Sequence, residues 1–169
     1  SPIAHGLITR IDVSKAKALP GVRVVVTGED FPGFTGLYLK DRRIFALDRV
    51  RYYGEAVAAV AADTPELAER AVDLIEVEYE ELPGVFDPLQ AMQPDSPLVH
   101  EDIASYDIEK SVTPHPGTNI ISHTKIRRGD VEQGFAAADE VYEDVFTTQL
   151  VHTCPMEPHG AIAQVDRDG

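Results

Sequence analysis

Cysteine occurs once in this chain of 169 residues, and basic residues are scarce. The single thiol, Cys154, excludes an internal disulfide, a four-cysteine zinc site and an iron–sulfur cluster held by this chain alone. It fits a reducing, cytoplasmic setting. Lys and Arg number 15 against 29 Asp and Glu, for a net charge of −14. A phosphate-binding face needs clustered cations, so no nucleic-acid partner is expected. No apolar run approaches the roughly 18 residues of a membrane span, and no secretory signal pattern is present, so no membrane insertion is expected. Gly33 and Gly36 lack the Gly-Lys-Ser/Thr ending of a phosphate loop. Spacing builds no Ser-His-Asp triad, and there is neither an internal repeat nor a low-complexity tract.

What remains is an ordinary globular composition, 43% apolar and 26% charged. The length suits one domain, or one plus a satellite. The chain is organised around residues 50–83. The apolar run at 56–62 (AVAAVAA) suits a strand covered on both faces. Asp63 and Thr64 then offer a capping oxygen, and Pro65 fits the first helical position. Leu67, Ala68, Ala71, Leu74 and Ile75 form one helical stripe, predicting a helix of about eleven residues. Residues 75–80 (IEVEYE) alternate and predict a second strand. Strand, helix, strand reads as a β-α-β unit with a right-handed crossover. Ala59 and Val60 are expected in a buried central strand, with Leu67, Ala71 and Leu74 packed on it. Glu66, Glu69, Asp73, Glu76, Glu78, Glu80 and Glu81 face only Arg70 within this stretch; they read as a solvated acidic face or as a docking surface for a basic partner.

Before this unit, residues 3–12 and 22–27 read as strands, with a helical turn capped by Ser14 between them. Residues 29–39 read as a loop, and 42–47 as a weaker strand. After Pro83, prolines punctuate about thirty-five residues of little periodicity, which reads as a linker containing a domain boundary. Residues 119–128, 141–149 and 160–166 alternate like strands, and Asp130 caps a short helix at 131–138. The chain opens in a strand at Ser1, without an initiator Met, and closes on the hairpin signal Asp168-Gly169 with no second strand. Both ends therefore read as cuts in a larger protein.

The densest reactive set is His152-Thr153-Cys154-Pro155-Met156-Glu157-Pro158-His159. It is open to a metal site, a nucleophilic Cys–His pair or a packed structural turn; the irregular spacing and two prolines favour the turn, and no metal is expected. Gly54-Glu55 enters the central strand either as a surface turn, the favoured reading, or as a cleft carboxylate. His5, His100, His115 and His123 are dispersed.

The motifs, taken in order, resemble the molybdopterin-binding large subunits of the molybdenum hydroxylase family, which includes xanthine dehydrogenases, aldehyde oxidoreductases, carbon monoxide dehydrogenases and 4-hydroxybenzoyl-CoA reductases. Ser1-Pro2-Ile3-Ala4-His5-Gly6-Leu7-Ile8 resembles the family's Ser-Pro-x-Ala-His-Ala-x-Ile strand, with Gly6 where Ala is common. Leu19-Pro20-Gly21-Val22 and Thr27-Gly28-Glu29-Asp30 resemble its next turn and strand. Val50-Arg51-Tyr52-Tyr53-Gly54-Glu55, Ala62-Asp63-Thr64-Pro65 and Val77-Glu78-Tyr79-Glu80-Glu81-Leu82-Pro83 resemble its α/β hammerhead domain, with Ala56 where Pro is common. Gly129-Asp130-Val131 and Met156-Glu157-Pro158-His159 resemble the opening of the first molybdenum-cofactor domain.

The resemblance implies an α+β fold: a hammerhead domain at 1–90, a linker at 91–117 and the start of a molybdopterin-binding domain at 118–169. It implies a subunit of an oxidoreductase that hydroxylates an aldehyde or an aromatic or N-heterocyclic substrate, or reduces an aromatic CoA ester. Molybdopterin with molybdenum is the implied cofactor, often as a dinucleotide such as the cytosine form. The implied partners are the remainder of the subunit and iron–sulfur and FAD subunits or domains. The family's glycine-rich cofactor segment, substrate-orienting arginine and catalytic glutamate have no counterpart in these residues. No residue is therefore given a catalytic role, and the chain alone is expected to carry no cofactor. Gln149, His152, Glu157 and His159 are the expected vicinity of the cofactor. Two other classes stay open: a hammerhead interaction module acting alone, and a small metal-binding protein using His152, Cys154, Glu157 and His159.

Overall fold

The structure, a computed structural model, describes residues 1–157 and 160–166. The chain forms two compact units, Ser1–Lys125 and Ile126–Gly169.

In the first unit, strand β1 (Gly6–Asp12) is followed by α1 (Ser14–Lys17) and β2 (Val22–Thr27). Two short strands, β3 (Phe34–Thr35) and β4 (Arg42–Arg43), pair with each other, and β5 (Arg49–Val50) follows. Then come β6 (Ala58–Ala62), α2 (Pro65–Val72) and β7 (Glu76–Glu81). Strand β1 lies between β5 and β7, antiparallel to both, with Gly6 opposite Val50 and Ile11 opposite Val77. Strand β2 pairs antiparallel with β6, Val25 opposite Val60. A Cβ on Gly6 would sit 2.7 Å from the Glu80 carbonyl oxygen, which explains glycine there.

Strand, helix and strand thus occur in the expected order, but they are not a crossover unit. Strands β6 and β7 belong to different sheets, and each is antiparallel to an earlier strand. Periodicity specifies which residues share a face and carries no information on which strand is the neighbour. The β2–β6 ribbon is also thinner than a central strand requires: Ala59 and Val60 are half-buried, and Ala61 is exposed.

Helix α2 begins as its sequence dictates. The Thr64 hydroxyl accepts the Leu67 N–H at 3.2 Å, and Pro65 takes the first helical position. The helix ends after eight residues, at Val72, short of the eleven expected. It lies on the β2–β6 ribbon beside α1, where Ala16, Val25 and Ala71 form a buried cluster lined by Val13, Leu19, Val22, Val60, Leu74 and Ile75. Alanine at 16 and 71, both fully buried, lets the two helices and the ribbon approach closely. Ser14 does not cap α1. It is the first helical residue, and the Asp12 carboxylate accepts its N–H at 2.9 Å. These hydrogen bonds from Ser14 hold the Asp12 carboxyl below its ordinary range.

The acidic stretch is partly neutralised from a distance in sequence. Arg10 on β1 pairs with Glu78 at 2.9 Å and with Asp12 at 2.7 Å, and Lys15 pairs with Glu76. All but the half-buried Asp12 are exposed, so these pairs orient side chains more than they stabilise.

Segment 91–117, read as a linker from its prolines, packs within the first unit. Asp87 caps α3 (Pro88–Ala91), and Ile103 is buried in a 3-10 turn, Ile103–Ser105. The Asn119 amide donates to the Ala91 and Pro97 carbonyls at 3.1 and 2.9 Å and accepts the Val99 N–H at 2.9 Å. Prolines here end regular structure while side-chain hydrogen bonds and Ile103 hold the coil in place.

In the second unit, Asp130 caps α4 (Val131–Ala136) through the Gln133 N–H at 3.0 Å. The strands expected at 119–128, 141–149 and 160–166 do not form among the described residues. Most of their apolar side chains are exposed instead, Ile126 at 91% and Phe146 at 89%. An alternating segment becomes a strand only when another backbone supplies its hydrogen bonds, and no described segment does so. The Asp168-Gly169 turn lies outside the described residues.

Candidate functional site

Gln149, His152 and Glu157 are exposed, and the structure joins them in no common cluster; His159 lies outside the described residues. His152 does meet Cys154. Its Nδ1 accepts the Cys154 N–H at 3.0 Å and stands 3.1 Å from Sγ. Cys154 adopts the left-handed conformation, φ 43°, that closes this small ring. Among the described residues, no three His, Cys, Asp or Glu side chains converge as metal ligands.

The more constructed site lies in the first unit. Gly54 takes φ 82° in a tight turn, and its N–H donates to the Ser1 carbonyl at 2.9 Å. The turn sends Glu55 inward. Only 7% of that residue is exposed, and it is the one buried charged residue among those described. Its Oε2 accepts the Arg51 N–H at 2.6 Å. The favoured reading of Gly54-Glu55 as a surface turn is therefore half right. Glycine makes the turn, and the apolar Ala56 and Val57 that follow were the available signal that Glu55 enters the interior.

Around Glu55 lies a cavity of about 310 Å3 lined by Asp41, Arg42, Arg51, Tyr52, Val99 and His100. Arg42 and Arg51 offset Asp41 and Glu55 in formal charge. The His100 Nδ1 lies 3.0 Å from the Tyr106 hydroxyl, and its ring meets Tyr106 edge-on. Burial, and next the Arg51 cation, push the imidazole below its ordinary pKa; Asp41, 3.7 Å away, opposes them and loses. Together these influences favour the neutral imidazole. Dispersed in sequence, His100 and Glu55 line one cavity, and the Arg51 Nε hydrogen bond to the Val99 carbonyl at 3.1 Å ties the two segments together, which no spacing rule reveals.

Residues 1–83 match the family described as aldehyde oxidase and xanthine dehydrogenase, a/b hammerhead domain, and residues 112–169 match the molybdopterin cofactor-binding domain. The chain belongs to the molybdenum hydroxylase family. It is 36% identical, over its whole length, to the nicotinate dehydrogenase large molybdopterin subunit of Eubacterium barkeri, of which it covers 37%. It is also 36% identical, over 97% of its length, to the carbon monoxide dehydrogenase large chain of Afipia carboxidovorans, of which it covers 21%. The fold resembles reconstituted CO dehydrogenase from Oligotropha carboxidovorans, with TM-score 0.56 and 41% identity over 62% of this chain and 14% of that one. The chain thus spans between about a fifth and two-fifths of the length of these curated relatives. The molybdenum hydroxylase fold expected here, α+β with a hammerhead domain followed by the start of a molybdopterin-binding domain, is the one found.

The described residues do not by themselves fit a molybdenum cofactor. Gln149, His152 and Glu157 are solvent-exposed side chains on coil, with no enclosing wall and no convergent donor set. Among the described residues no helix is long and apolar enough to cross a membrane.

Proposed function

We propose that this chain is part of the molybdopterin-binding subunit of a molybdenum-containing oxidoreductase that hydroxylates an aldehyde or an aromatic or N-heterocyclic substrate, or reduces an aromatic CoA ester. The observation that carries the reading is the order of the two family matches on one chain, hammerhead first and molybdopterin-binding second. The self-contained sheets of the first unit support a structural and subunit-docking role. Docking is also where the relatives' names point, since they are called a large subunit and a large chain.

In this reading the cofactor is held as the cytosine dinucleotide, with Gln149, His152, Glu157 and His159 in its vicinity. Most of the pocket comes from the remainder of the subunit, and iron–sulfur and FAD subunits or domains carry electrons away. The exposed, unpaired apolar residues of 141–151 support a surface that other polypeptide covers.

The test is recovery of the protein from its native source with an antibody raised against this chain. Elemental analysis is expected to find molybdenum and iron, acid hydrolysis to release a cytosine nucleotide, and a dye-linked assay to find activity on an aldehyde or N-heterocycle. Recovery of a protein holding neither molybdenum nor iron would overturn the reading. The 169-residue chain alone is expected to hold no stoichiometric molybdenum.

A further inference from the structure

A second cavity adjoins the one around Glu55. It measures about 290 Å3 and shares Arg51, Tyr52 and Val99 with it. Its walls are mainly apolar, with Tyr53, Val85, Phe86 and Leu98 among them, and Arg51 is its only formally charged lining residue. Tyr53 and Phe86 stand largely exposed, as rings with a free face.

Arg51 is held rather than loose. Its backbone N–H donates to Glu55 at 2.6 Å, and its Nε donates to the Val99 carbonyl at 3.1 Å. The Glu55 carboxylate turns to the Arg51 amide, not to its side chain. The guanidinium has no carboxylate within ion-pair distance among the described residues, so its terminal amines are left with no partner there. Arginine in a partly buried setting ordinarily has a carboxylate or phosphate against its fork. Here a fixed, partly desolvated cation borders an apolar cleft walled by aromatic rings.

We propose that this cleft binds a small aromatic monocarboxylate, with the carboxylate on the Arg51 terminal amines and the ring between Tyr52, Tyr53 and Phe86. Shape and charge both select this class. The cleft's apolar walls favour a compact apolar body, the aromatic side chains favour a flat one, and a single unpaired guanidinium favours one anionic group. A dianion would place its second charge against apolar wall, and a cation would meet Arg51. The site lies in the first unit, partly within residues 1–83 that match the hammerhead domain and partly at 84–99, outside residues 112–169 that match the molybdopterin-binding domain, and does not depend on the proposed function.

Titration of the 15N-labelled 169-residue chain with benzoate tests this, with benzamide as the neutral isostere. Benzoate is expected to shift the amide signals of Tyr52, Tyr53, Val85, Phe86 and Leu98, and benzamide to bind at least about tenfold more weakly. Arg51→Ala should cost benzoate about tenfold or more in affinity while leaving benzamide unchanged. Because Arg51 also ties down Val99, two gentler variants stand beside it. Arg51→Lys keeps the charge without the fork and should retain partial affinity, and Phe86→Ala removes an exposed wall and should weaken both ligands. Equal binding of benzoate and benzamide, shifts scattered outside the cleft, or full affinity in a folded Arg51→Ala chain would each overturn the proposal, as would the absence of any benzoate binding.

Discussion

Replacing Glu55 separates what a buried carboxylate does as a hydrogen-bond acceptor from what it does as a charge. The residue is 7% exposed, and its Oε2 accepts the Arg51 N–H at 2.6 Å across the Gly54 turn. Truncation in Glu55→Ala removes a hydrogen bond to a charged group, worth about 1.5–3 kcal/mol, and strands a partly buried N–H. It also relieves the cost of keeping a carboxylate out of water, which offsets part of that loss. The net expectation is a destabilisation of roughly 1–3 kcal/mol. Glu55→Gln keeps the volume and an acceptor oxygen for Arg51 and sheds the desolvated charge. Its expected cost is below about 1 kcal/mol. Urea unfolding followed by far-ultraviolet circular dichroism measures both, through the midpoint and slope. If Gln costs as much as Ala, the charge and not the acceptor holds the turn. If Ala costs nothing, the inward placement of Glu55 is wrong.

Thr64→Ala removes the α2 cap and should cost about 0.5–2 kcal/mol in the same assay, with Thr64→Ser nearly neutral. Leu74→Ala should cost about 1–2 kcal/mol, less than the roughly 2–5 kcal/mol of a fully buried leucine, because Leu74 is only half-buried beside Ala16 and Ala71. The depressed folded-state pKa of His100 makes the unfolded chain bind the extra proton first. Stability should therefore fall as pH drops through about 6.5, and His100→Gln should flatten that part of the unfolding-midpoint profile against pH. A slope unchanged by the substitution would show that His100 titrates as an exposed imidazole.

Local chemistry was legible in the chain, and pairing was not. The oxygens of Thr64, Asp87 and Asp130 each accept an N–H three residues on, as short-range rules require, although only the Thr64 and Asp130 caps were read from sequence. Strand β2 falls on its β-branched run. What went unread depends on contacts distant in sequence: β1 paired with β7, Arg10 with Glu78, Asn119 clamping Pro97 and Val99, and His100 set against the Glu55 turn. Each of these joins residues whose own patterns are neutral about the partner. Segment 91–117 shows the same limit from the other side. Its prolines correctly exclude long helices and strands, but irregular backbone held by Asn119 and Ile103 is still packed structure.

The two units carry this contrast further. Residues 6–12 and 141–149 have comparable strand signals, yet only the first stretch is a strand. Strand β1 has β7 along nearly its whole length and β5 against Gly6 and Leu7, so a ladder within the chain holds it extended. At 141–149 no described neighbour offers a ladder, and Tyr142, Val145 and Phe146 stand over 80% exposed. Unpaired alternation with apolar side chains is unfavourable in water, because it leaves both the backbone and the apolar face without partners. The strands of the first unit find their partners within that unit. In the second unit the same alternating pattern meets no described partner, and it stays coil among the described residues for that reason.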